Sequence, residues 1–167
     1  AFVPEKYDDN PYLSDVYDGH EELALDSELF FLSSGASQLT KSRLKADQRY
    51  VSDYVFDKAM IYASAWLSGV DFRKYLKHYE SVKEGVAAPV LVIYMHDTLE
   101  NCLRRIHQRN RPYEQHIELP FLEHLENGYD TLYTDYTICP LVRLRADECR
   151  DDAQVDWIVN DIKHYLI

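Results

Sequence analysis

The chain has 167 residues, 46% of them hydrophobic and 13% aromatic, which is enough to bury one core in a single domain over 1–167. Its 18 basic and 29 acidic residues leave a formal charge of -11, which repels polyanions and excludes nucleic acid and an anionic membrane surface as expected partners. Cys102, Cys139 and Cys149 show neither a C-x-x-C pair nor zinc-site spacing, and no basic flank with a long apolar run opens the chain, so a soluble protein of the reducing cytoplasm is expected.

Phe2 and Val3 read as the end of a short strand running into Pro4 and Glu5, and Asp9-Asn10-Pro11 supplies turn and helix-start chemistry. Over 21–44, Leu23, Leu25, Leu29, Phe30, Leu32, Ala36 and Leu39 recur at mostly helical spacings, predicting one long helix despite Gly35. Residues 49–53 read as a short strand with a polar end, followed by helices over 55–66 and 72–82. The nearly continuous apolar run over 88–95 predicts a strand buried on both faces, as in a parallel sheet covered by helices. Thr98 is placed to cap a helix reaching about His107, with Arg104 and Arg105 suited to its C-terminal end. An Arg-rich connection follows, then a helix over 120–133, a strand over 141–145 and a closing helix over 155–166 with Trp157, Ile158, Ile162 and Leu166 on its apolar side. Strands alternating with helices predict an α/β fold built on a parallel sheet.

Four separated segments carry a resemblance. They are Glu5-Lys6-Tyr7-Asp8-Asp9-Asn10-Pro11-Tyr12-Leu13 with Tyr17 beyond it, and Glu28-Leu29-Phe30-Phe31-Leu32 with Gln38-Leu39. The others are Ser52-Asp53-Tyr54-Val55-Phe56-Asp57-Lys58, and Arg104-Arg105-Ile106 through Arg109-Asn110-Arg111-Pro112-Tyr113-Glu114. Their order and spacing, over nearly the whole chain, resemble the deoxynucleoside kinase family and in particular its bacterial deoxyguanosine/deoxyadenosine kinase branch. The resemblance implies a P-loop-kinase-like three-layer sandwich, ATP and Mg2+ as cofactors, a purine deoxynucleoside as acceptor, a lid over about 105–117, and a homodimer.

Transfer of a phosphoryl group to a sugar hydroxyl needs a proton acceptor and positive charge around the moving group. The resemblance places Glu5 as the carboxylate that acts on the 5'-hydroxyl, just beyond a strand end where open α/β sheets bind ligands; the other reading is an exposed loop glutamate. Asp53 sits at a comparable strand end, able to orient a hydroxyl or organise magnesium through water, or else to cap the helix that follows. Where many relatives carry an Arg after this acid, Tyr54 stands here.

Glu28 matches a position that faces the nucleobase in relatives, and a carboxylate there suits the N1-H and amine donors of guanine; alternatively it lies on the exposed side of a long helix. Tyr17 and Glu114 resemble the pair that binds the 3'-hydroxyl, with a packing aromatic and an Arg partner as the alternatives. Arg105, Arg109 and Arg111 fall in the segment resembling the lid, where guanidinium groups grip phosphate. The seven histidines form no H-E-x-x-H pattern, and the acidic stretch over 147–152 lacks calcium-loop spacing, so direct metal coordination by the protein is not expected.

No G-x-x-x-x-G-K-[ST] occurs among the five glycines. In the enzymes the chain resembles, that phosphate-binding loop follows the first strand and precedes the position of Glu5, so both are expected to be absent from these residues. Gly35 also stands where relatives commonly carry an Arg. Two functions follow: a kinase of nucleotide salvage whose amino-terminal segment is missing from the sequence, or a non-catalytic structural or nucleoside-binding subunit. A third, a nucleotide monophosphate kinase, fits the Asn10-Pro11-Tyr12-Leu13 and Ser52-Asp53-Tyr54 segments less well.

Overall fold

The computed structural model describes residues 1–149 and 151–166, without the side chains of His164 and Leu166. Four strands form two parallel pairs. β1 (Phe2–Val3) lies beside β2 (Val51–Ser52), with Phe2 opposite Val51 and Val3 opposite Ser52. β3 (Val92–His96) lies beside β4 (Leu141–Arg145), Val92 opposite Leu141 through His96 opposite Arg145. Each pair is joined through helices, as a parallel pairing requires, and the α/β class with parallel strands flanked by helices is observed.

The first pair is connected by α1 (Leu13–Tyr17) and α2 (Ala24–Gln38). The helix expected over 21–44 stops at Gln38, because the following residues bond to another part of the chain. Ala87 N–H donates to the Leu39 carbonyl and Lys41 N–H to that of Gly85, while Thr40 forms an antiparallel bridge with Val86. Those bonds replace the helical ladder beyond residue 38. After β2 come α3 (Lys58–Trp66), which starts three residues later than expected, and α4 (Gly69–Val82), which starts three earlier.

The fully buried core is helical rather than centred on the strands. Leu32 of α2, Ala63 of α3 and Tyr75 of α4 are completely enclosed and meet Val16 of α1, Ala24 and Leu67. Leu32 alone removes enough apolar surface from water to contribute about 2–3 kcal/mol.

The strand expected over 88–95 begins only at Val92, whose N–H donates to the Pro140 carbonyl; Pro89 has no N–H to give to a ladder. Burial on both faces is not observed. Val92 is buried and Tyr94 half-buried against α6 (Leu119–Thr134), with the Tyr94 ring 5.6 Å from that of Tyr129 and 4.9 Å from that of Tyr133. On the alternate positions Ile93 and Met95 are 41% and 54% exposed. A continuous apolar run therefore reads the same whether one face is covered or two.

α5 (Leu99–Arg109) is amphipathic and capped as its sequence predicts, with the Thr98 hydroxyl accepting from Asn101 N–H. It ends at Asn110, which takes the left-handed conformation (φ 55°) that asparagine tolerates at helix ends. α6 crosses α3 at Gly128, where an added Cβ would stand 2.4 Å from Ile61 Cγ2. Only glycine permits that approach. The closing helix α7 (Asp152–Ile162) starts three residues before its expected start, is capped by Asp151, and passes into a 3-10 turn. Of its expected apolar side Ile158 is buried, but Trp157 is 68% exposed, a correction to the sequence reading; the Leu166 side chain lies outside the described residues, as does Arg150.

Candidate functional site

The ends of β1 and β2 build one wall of a cavity. Because the strands are parallel and in register, the residues just past their C-terminal ends are neighbours: Ser52 Oγ donates to the Val3 carbonyl, and Glu5 N–H donates to Asp53 Oδ1 at 2.8 Å. Asp53 thus braces the backbone of Glu5 rather than capping a helix. From the other side Gln38, buried at the end of α2, donates from Nε2 to the Pro4 carbonyl at 2.9 Å and accepts the Tyr54 hydroxyl on Oε1. The Tyr54 ring lies 3.5 Å from where a Cβ on Gly35 would stand, so an aromatic face packs on the bare helix backbone at that point.

Glu5 lines a cavity of about 200 Å3 together with Tyr17, Glu28, Lys58, Arg109, Arg111 and Glu114. The space admits one small molecule and is below the roughly 300–1,000 Å3 typical of drug-sized sites. Its remaining walls are mostly aromatic. Tyr17 packs against Trp66 at 5.2 Å and Tyr113 at 5.8 Å between ring centroids, so it is a packing aromatic that also lines the cavity. Burial pushes the Tyr17 hydroxyl well above the ordinary phenol range, and that of Tyr62 up to about 12.

The charges are distributed unequally. Glu114, buried in the 3-10 turn Pro112–Glu114, accepts from Arg109 Nε and NH2 on Oε2 (2.9 and 2.6 Å) and from Arg111 NH1 on Oε1 (3.1 Å). The Arg111 guanidinium also stacks over the Tyr7 ring at 3.9 Å. Glu5 Oε2 accepts from Lys58 Nζ at 2.5 Å.

Glu28 makes no ion pair among the described residues. It is 4% exposed, so the reading that put it on an outward helix side does not hold. Burial raises its carboxyl from the ordinary 4.5 to about 8, with Lys58 opposing the shift and Glu5 adding to it. At neutral pH it carries a proton, so the side chain expected as a carboxylate both donates and accepts.

Arg105 stands apart from Arg109 and Arg111, with which the resemblance groups it. Its NH1 donates to Asp97 Oδ2 at 2.5 Å, and it does not line the cavity; this contact and two further hydrogen bonds hold the Asp97 carboxyl well below the usual carboxylate range. On the outer side of α5 a shallower groove of about 460 Å3, lined by Glu100, Leu103, Arg104, His107, Gln108 and Leu119, contains none of the predicted site residues. Among the described residues no three His, Cys, Asp or Glu side chains are grouped to hold a metal ion, and the three cysteines are free.

Lys58 is the cavity charge to which sequence reasoning assigned no role. The helix expected from residue 55 puts Lys58 in its first turn, where the dipole disfavours a cation; that it is the first residue of α3, and so calls for a partner, is shown by the structure alone.

The model of the family described as deoxynucleoside kinase matches residues 1–167. The chain belongs to the deoxynucleoside kinase family. It is 35% identical over 131 residues to deoxyguanosine kinase of Bacillus subtilis (strain 168), a match covering 77% of this chain and 63% of that protein. The chain thus spans just under two thirds of that relative's length. It is 26% identical over 169 residues to the deoxyadenosine/deoxycytidine kinase of the same organism, covering 95% of this chain and 77% of that one. The structure of deoxyadenosine kinase from M. mycoides with bound dATP superposes with a TM-score of 0.82 at 20% identity, covering 97% of this chain and 85% of that one, and the same enzyme with bound dCTP gives 0.80. These superpositions establish that this family member has the fold of that kinase. No helix among its described residues is long and apolar enough to cross a membrane.

Proposed function

We propose that the chain forms the acceptor side of a deoxynucleoside kinase that transfers the γ-phosphoryl group of ATP to the 5'-hydroxyl of a purine deoxynucleoside. The observation that carries the reading is the convergence of Glu5, Glu28, Arg109, Arg111 and Glu114 on one small aromatic cavity at the C-terminal ends of parallel strands. Glu5 is assigned the proton of the 5'-hydroxyl, Tyr17 and Glu114 the 3'-hydroxyl, and Arg109 and Arg111 the charge of the moving phosphoryl group. Arg105 is assigned to the same lid, over about 105–117 of a single domain spanning 1–167, and Asp53 to holding Glu5 in place.

The base is assigned to Glu28. Protonated, it offers one donor and one acceptor, which suits the adenine N1 and amine; ionised, it offers two acceptors, which suits the guanine N1-H and amine. Both purines are therefore within its range, and the bound base selects the protonation state.

On the donor side these 167 residues contain no G-x-x-x-x-G-K-[ST] loop, and no residue of the chain is assigned to the β-phosphate. Magnesium would arrive with the nucleotide; no residue is assigned to it. The reading extends to a homodimer, which light scattering of the purified protein measures.

The test begins with the encoding reading frame and an intact mass, then measures ATP consumption with each of the four deoxynucleosides. Turnover confined to the purine nucleosides is expected, and Glu5→Gln should lower it by about 10²–10⁴-fold with folding largely intact. Absence of turnover with every nucleoside would favour the non-catalytic nucleoside-binding subunit instead.

A further inference from the structure

Lys58 and Glu5 form an ion pair across 53 residues of sequence, with side chains only 19% and 25% exposed. Three features mark the pair as more than a surface contact. Lys58 opens α3, where its charge opposes the helix dipole, so its place there is unfavourable until an anion compensates it. Its ammonium is confined by aromatic faces, 5.0 Å from the centroid of the Tyr62 ring and 6.0 Å from that of Tyr54, which limits where it can reach. The other two cations lining the cavity, Arg109 and Arg111, are both committed to Glu114. Lys58 is therefore the charge that acts on Glu5.

The bond is also selective between the two carboxylate oxygens. Lys58 engages Oε2, while among the described residues no hydrogen bond is formed by Oε1. The backbone of Glu5 is fixed independently by Asp53 and, through Pro4, by Gln38. With the main chain held, the lysine decides how the carboxylate is turned.

We propose that Lys58 is a positioning residue for phosphoryl transfer: it holds Glu5 by Oε2 and leaves Oε1 to receive the proton of the acceptor hydroxyl. The proposal rests on the kinase reading above. In the step itself the hydroxyl oxygen forms its bond to the γ-phosphorus as its proton passes to Oε1. The bond from the γ-phosphorus to the β,γ-bridging oxygen breaks, and its electron pair leaves on ADP. Lys58 keeps its hydrogen bond to Oε2 throughout and touches neither the hydroxyl nor the phosphorus.

The experiment compares Lys58→Met, Lys58→Arg, Glu5→Gln and the double variant Lys58→Met/Glu5→Gln in the full-length protein, measuring kcat, KM and, by calorimetry, deoxynucleoside Kd. Lys58→Met should lower kcat about 10²-fold with KM and Kd within about threefold of wild type, since only the orientation of the base is lost. In the Glu5→Gln background the same change should cost less than about threefold, because the two residues act as one unit. Lys58→Arg, which keeps the charge, should recover at least about tenfold over Lys58→Met.

The proposal is overturned if Lys58→Met keeps kcat within about threefold of wild type, or if its full loss recurs in the Glu5→Gln background. It is equally overturned if Kd weakens in proportion to kcat, which would mark a lysine that merely supports the fold; the arginine variant separates that case where the methionine protein does not fold. A wild-type protein that turns over no deoxynucleoside removes the kinase reading and this proposal together, whereas an active Lys58→Met removes the proposal alone.

Discussion

Replacing Glu28 with glutamine tests whether the buried carboxyl is held protonated. In the folded chain its carboxyl titrates near 8, against an ordinary 4.5 when exposed, because burial disfavours the charge and Glu5 adds repulsion. Between those values the folded state keeps a proton that the unfolded state has released, so unfolding becomes more favourable as pH rises. The contribution is complete below pH 4.5, where both states are protonated, and is lost as pH climbs through 8. Each tenfold shift in proton affinity corresponds to about 1.4 kcal/mol, so the window spans on the order of 5 kcal/mol. Glutamine occupies the same volume and cannot titrate. Urea denaturation at pH 5, 6, 7, 8 and 9 should show wild-type stability falling relative to Glu28→Gln by a few kcal/mol across the series, the difference between the proteins cancelling their other groups. Two stability curves that stay parallel from pH 5 to 9 would refute the reasoning, since they would mean that Glu28 titrates alike folded and unfolded.

Because glutamine presents one donor and one acceptor permanently, Glu28→Gln should also move the ratio of kcat/KM toward deoxyadenosine over deoxyguanosine; an unaltered ratio in competition assays would remove Glu28 from base recognition. Gly128→Ala should cost about 1–3 kcal/mol in thermal or urea unfolding, as the new methyl would stand 2.4 Å from Ile61 Cγ2 and force α3 and α6 apart. Gly35→Ala is the internal control, with its nearest neighbour at 3.5 Å and a helix position that favours alanine, so stability should hold or rise by up to about 1 kcal/mol. Leu32→Ala empties the centre of the helical core, where Leu32 is 0% exposed, and should cost about 2–5 kcal/mol by the same measurement.

Local signals were sufficient wherever one turn of chain carries its own cause. The Thr98 cap, the strand over Leu141–Arg145 and the placement of Glu5 just beyond a strand end all follow from chemistry acting within a few residues. The helix over 21–44 overran because its true end is set by bonds to residues 85–87, which no local pattern contains. Trp157 was placed inward by helical period, but period tells which residues share a side and not whether anything covers it.

The site divides along the same line. The sequence by itself determined which side chains are available at the strand ends and in the Arg-rich turn, because alternation of strands and helices leaves those positions at the mouth of a parallel sheet. Only the tertiary structure decided what each one does electrically. Glu28 reads as an ordinary helical glutamate until α2 is seen to bury it, Arg105 as one of three lid arginines until Asp97 takes it, and Lys58 has no role until Glu5 meets it from 53 residues away. Charge state and pairing depend on dielectric surroundings and on partners within a few ångströms, and both are assembled by packing rather than by sequence order.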